Sequence, residues 1–144
     1  MTVTDRMGGF ISASIIETKN VHAFVVENNL CTVIHKTGKS FIELDVMKNG
    51  ITPNISVSDE KSGQIWNIDV QVDLKNESGL KIIPFNKFLL ILENPVGEKY
   101  IFGTMEFPLC SRKHPILSSS AAGKMGETLS FTGKQPFYPY KMTL

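Results

Sequence analysis

A chain of 144 residues falls within the size of one domain and can bury a core without disulfide or metal staples. Its 42% hydrophobic and 20% charged residues are ordinary for a globular protein, and a formal net charge of +1 gives no broad field to hold nucleic acid or an anionic lipid surface. No apolar run approaches the roughly 18 residues of a membrane-spanning helix, residues 1–9 lack the apolar stretch of a secretory leader, and two cysteines, Cys31 and Cys110, are too few for a disulfide framework. The expectation is one cytosolically folded unit over 1–144, with no membrane partner, nucleic acid not the main partner, and reduced, buried cysteines.

Along the chain, residues 10–16, 21–26 and 30–35, the last resuming at 41–46, are short segments rich in β-branched and aromatic side chains. Polar tips separate them: Lys19-Asn20, Asn28-Asn29, Thr37-Gly38 and Asn49-Gly50 supply turn chemistry and positive φ. The clearest strand is 65–74, where Ile65, Asn67, Asp69, Gln71 and Asp73 share one parity and Trp66, Ile68, Val70, Val72 and Leu74 the other. Residues 55–58 alternate too, and a Gly-containing connection over 59–63 joins the two segments as a hairpin.

Residues 75–79 read as a loop, and Pro84 argues against a central strand running through it. Residues 85–93 fit either a buried strand or a short helix over 84–92, since period alone does not assign a short apolar run. Asn94-Pro95-Val96-Gly97 is a strong turn, so 88–92 should pair with 100–105. Residues 111–126, with Pro115, three consecutive serines and two glycines, have the composition of a flexible loop. Residues 128–132 alternate again. Residues 134–144 hold Phe137, Tyr138 and Tyr140 among two prolines, either an aromatic arm for a neighbour's groove or a last strand of the chain's own sheet.

Motifs for catalysis fall short. Gly38-Lys39-Ser40 lacks the glycine five residues earlier that a phosphate-cradling loop requires, because Val33 stands there, and a strand follows instead of a helix. Gly123-Lys124 and Gly133-Lys134 fail likewise, with Ser118 and Thr128 at that position. Cys31 and His35 share a four-residue spacing with Cys110 and His114. On a strand that spacing spans about 13 Å, too far for one zinc ion, so only the second pair, if in a loop, could share a metal. His22, His35, His114, Asp45, Asp69 and Asp73 stand in no recognisable catalytic arrangement. The expectation is no catalytic residue, no metal and no cofactor. Arg112 and Lys113, beside His114, and Phe137, Tyr138 and Tyr140 are the candidate partner-binding residues: a small basic cluster for an acidic surface, and rigid aromatic anchors.

Gly63-Gln64-Ile65-Trp66 opens an alternating strand, followed later by Tyr100-Ile101-Phe102-Gly103-Thr104-Met105-Glu106-Phe107-Pro108-Leu109, a Ser/Gly-rich stretch, and Gly126-Glu127-Thr128-Leu129-Ser130-Phe131-Thr132-Gly133-Lys134. That order resembles small structural proteins of phages and prophages of Bacteroidetes. The likeness covers residues 63–140, is one of pattern, and departs from it in a short, basic loop over 111–126. It implies a non-enzymatic virion component of the neck or tail, assembled in the bacterial host cytoplasm through self-association, rings included, and docking to other virion proteins. The fold expected is mainly β, an antiparallel sandwich or barrel with room for one short helix. The alternative is a bacterial β-fold module that binds a ligand or peptide.

Overall fold

The computed structural model describes residues 3–5, 9–61, 63–75, 87–115 and 127–143. In chain order these form β1 (Val3–Asp5), β2 (Ser12–Glu17), a 3-10 turn (Thr18–Asn20), β3 (Val21–Glu27), β4 (Leu30–His35), β5 (Ile42–Glu43), β6 (Val46–Glu60), β7 (Gly63–Leu74), β8 (Lys87–Glu93), β9 (Lys99–Phe102), β10 (Leu109–Pro115), β11 (Glu127–Gln135) and β12 (Tyr140–Met142). The mainly-β expectation holds. The strands join one mixed sheet that is not closed into a barrel, in the order β1-β6-β7-β11-β10-β8-β9-β12-β4-β3, with β2 on the far side of β8 and β5 beyond it.

The β6–β7 hairpin and β11 form the broad layer. On β7 the buried residues are Ile68, Val70, Val72 and Leu74, and the intervening Asp69 and Gln71 are exposed, as their parity dictates. Asn49-Gly50 is not the end of a strand but a bulge within β6. Val46 pairs with Leu74 and Ile51 with Val72, so residues 47–50 oppose Asp73 alone. Asn49 adopts φ 57° there, and a Cβ on Gly50 would lie 2.8 Å from the Met47 carbonyl oxygen and 2.9 Å from that of Asp73. Only glycine fits that backbone approach.

β8 is the strand that the two layers share. Its continuous run Phe88, Leu89, Leu90, Ile91 and Leu92 is buried on both faces, and the helix alternative over these residues gives way to a strand. Phe88, Leu90 and Leu92 enter a large core with Ile55, Val70, Val72, Leu129 and Phe131; Leu89 and Ile91 enter a second core with Ile16, Val21, Cys31 and Ile101. The β3–β4 hairpin and β12 cover that second face through Phe24, Val33, Tyr140 and Met142.

β9 and β10 both run antiparallel to β8 along one edge. The pairing of Leu90 with Phe102 gives way to that of Phe88 with Leu109, so 103–108 is an excursion from one strand path. Gly103, at φ 87°, starts it, and Thr104 closes it: its N–H donates to the Phe107 carbonyl at 3.1 Å and its hydroxyl accepts from the Phe107 N–H at 3.0 Å. The expected 88–92 with 100–105 hairpin is therefore present with a shorter second strand. The loop expected over 111–126 is corrected at its start, because 110–115 pair residue by residue with 127–132 of β11. The polar letters there mark one face: Arg112 points outward opposite Ser130, and Ser111 is buried. Residues 116–126 lie outside the described residues.

Candidate assembly surface

Residues 134–144 form no free arm within the described span. β12 lies between β9, antiparallel, and β4, parallel, so of the two sequence readings the strand in the chain's own sheet is the one adopted. The cause is intramolecular burial of the rings. Tyr138 meets Trp66 edge-on at 5.1 Å between centroids, Phe137 stacks on Tyr140 at 5.0 Å, and Phe107 meets Phe137 edge-on at 6.2 Å. Gln135, fully buried, ties the segment to the 103–108 excursion. Its Oε1 accepts from the Gly103 N–H at 3.2 Å and its Nε2 donates to the Phe137 carbonyl at 2.8 Å. Lys141 bonds Glu98 at the β8–β9 turn, holding the Glu98 carboxyl below its usual range and raising its own ammonium.

The structure separates the basic pair from the aromatic residues. Arg112 and Lys113 stand opposite Ser130 and Leu129, whereas Gln135 lies opposite Trp66 at the other end of β11, and Phe137 follows it. Cys110 and His114 are four residues apart on β10, a strand and not a loop, so they stand about 13 Å apart in the way that Cys31 and His35 do on β4. Among the described residues no three His, Cys, Asp or Glu converge as a metal site. Both cysteines are free thiols. Burial pushes the Cys31 thiol up to about 11, which keeps it protonated and unreactive near neutral pH.

A different surface emerges at the end of the sheet. β3 is one of the strands that end the sheet, with β1 and β5, and among the described residues its second edge has no neighbour. Val25 is 44% exposed, Val26 38%, and Leu30 and Ile34 on β4 39% and 48%. Register places Val25, opposite Thr32, on the outer face, and Phe24, opposite Val33, on the inner one. Beside this edge Phe24 and Val26 line a cleft of about 300 Å³ with Thr104, Met105, Glu106, Phe137 and Tyr140. Two candidate residues, Phe137 and Tyr140, thus border this surface; Tyr138, Arg112 and Lys113 are not among its lining.

Sequence reasoning passed over Val25, Val26, Leu30 and Ile34. A signal existed: 23–26 are apolar on both parities, in a segment too short and too polar at its ends to sit mid-sheet like β8. A second cleft, also about 300 Å³, is lined by Ser12, Ser14, Glu43, Glu93 and Lys99 together with Phe41, Ile91 and Met142. There the Ser12 hydroxyl donates to Glu93 at 3.3 Å and Lys99 stands 4.0 Å from it.

No family model, curated protein or solved structure matches the chain.

Proposed function

We propose that this chain is a non-enzymatic structural subunit of a phage or prophage virion, at the neck or tail, that works by self-association and by docking to other virion proteins. The observation that carries the reading is an open sheet ending in a strand whose second edge, among the described residues, is unpaired and is flanked by exposed apolar side chains on both faces. Natural sheets blunt such edges with lysine, proline or a covering element, because an unpaired row of N–H and C=O groups recruits another strand. The phage-like pattern over residues 63–140 supports the same reading. The subunit is made in the host cytoplasm, acts in the particle, and needs no cofactor.

The test is mass spectrometry of gradient-purified particles from a producing culture. The chain should band with the particles in stoichiometric amount; a chain abundant in the lysate and missing from the particles overturns the proposal.

The second reading, a bacterial ligand- or peptide-binding module, is favoured by the cleft at Phe41. Two carboxylates, one lysine and two serines line it beside three apolar residues, a mix that suits a small polar ligand. A small molecule retained through purification and lost in Glu43→Ala would favour it.

A further inference from the structure

We propose that the free edge of β3 is a homotypic joint, at which two copies of this chain pair antiparallel through residues 23–27 about a two-fold axis at Val25, so that one sheet runs through both. The proposal rests on the assembly reading above and names the partner, a second copy, and its register.

The backbone argument comes first. Val21–Glu27 holds no proline and no lysine, and its single bulge, between Val21 and Ala23, leaves 23–27 regular. Those five residues offer their outward N–H and C=O groups to a new strand. Opposed residues of an antiparallel pair point to the same face. With Val25 on the axis, Phe24 therefore meets Val26 of the second copy on the inner face, twice by symmetry, and Val25 meets its own counterpart on the outer face. Ala23 meets Glu27. Every apolar residue that the edge leaves exposed gains an apolar neighbour.

Charge then selects the direction. His22 lies near the start of the segment and Glu27 at its end, while Lys19, in the preceding 3-10 turn, is already paired with Glu17 at 3.4 Å. An in-register parallel pair sets Glu27 against Glu27 and His22 against His22. The antiparallel pair instead sets each Glu27 against the other copy's Ala23, next to His22, and leaves the two glutamates about 13 Å apart along the strand. The edge is self-complementary in one direction only, the condition for a closed two-fold contact. Leu30 and Ile34 on β4 flank the joint, and Met105 and Phe137 border its inner side.

Light scattering of the full chain across a concentration series, with Val25→Lys as the variant, tests the joint. Val25 is exposed, so the substitution leaves the monomer's circular dichroism and melting unchanged. It puts two ammonium groups face to face at the axis and should weaken the dimer about tenfold or more. In a Cys110→Ser background, Val25→Cys should oxidise to a disulfide-linked dimer, and Ile34→Cys, one strand removed from the axis, should not. An oligomer that survives Val25→Lys unchanged overturns the joint but leaves self-assembly standing. An intact chain that is monomeric at every concentration overturns the joint and the self-association it rests on. A monomer that binds an extended peptide at this edge overturns the second copy as its occupant.

Discussion

The two faces of β8 carry cores of different completeness. One is sealed by the broad β6-β7-β11-β10 layer, with sixteen buried residues among the described ones; the other is covered by the β3–β4 hairpin and β12, with six. The first core buries Phe10, Phe88, Phe102 and Phe131, leaves Trp66, Tyr100 and Tyr138 half-buried at its margin, and closes with edge-to-face ring contacts such as Phe88 on Phe131 at 6.2 Å. The second leaves Phe24, Tyr140 and Met142 half-buried, and the hairpin that covers it turns Val25, Leu30 and Ile34 outward into solvent. The contrast teaches that this chain folds on one side and is left unfinished on the other, and an unfinished apolar edge is where association gains the most from hydrophobic burial.

The largest expected effect would break that ranking. Phe131→Ala removes a fully buried ring from the sealed core and should cost about 3–5 kcal/mol, read by urea denaturation. A loss near that of an exposed residue would show that the broad layer is not the main source of stability. Gly50→Ala should cost roughly 1–3 kcal/mol, because its methyl would meet two carbonyl oxygens of the bulge that only backbone movement can relieve. The same assay should register no stabilisation from the reduced chain entropy of alanine.

The second core can be probed by pH. Cys31 titrates from 9.0 toward about 11 on burial, so above pH 9 the unfolded chain gives up its thiol proton more readily than the folded one. Stability should therefore be independent of this group below pH 9, fall as pH rises from 9 toward 11, and lose that slope in Cys31→Ala. The smallest effect belongs to the exposed Glu98–Lys141 pair. Its contribution is present between the ordinary Glu and Lys values, 4.5 and 10.5, and is lost as pH falls through the lowered Glu98 value or rises through the raised Lys141 value. Glu98→Gln should flatten the acid limb slightly, and added salt should mask the difference.

What the sequence made legible followed from how each strand is wetted. β7 is half-buried, so Ile68, Val70, Val72 and Leu74 alternate with polar residues and announce their face. β8 is buried on both sides, so its apolar run fits a strand or a helix, and only the sheet decides. β10 was hidden because Arg112 faces outward, and in a stretch of polar letters ending at Pro115 that polarity imitates a loop. Asn49-Gly50 carried the right local conformation, positive φ and a close backbone approach, but position along a hairpin is what separates a bulge from a turn. The candidate surface was legible only at Phe137 and Tyr140. Which strand ends a sheet is a property of topology, and no local pattern in Val21–Glu27 states that its second edge stays open.

β12 has a further consequence for the order in which the fold can form. β4 is flanked on one side by β3, a few residues away across Asn28-Asn29, and on the other by β12, where Thr32 and Thr143 join hydroxyls at 3.0 Å across 111 residues of sequence. During synthesis the β3–β4 hairpin can form early, but it has no place in the sheet until residue 140 has left the ribosome. Closure over that span is the slow kind. Throughout that interval the hairpin has both edges open, so the order of synthesis itself exposes the chain to premature pairing with its neighbours on the same message.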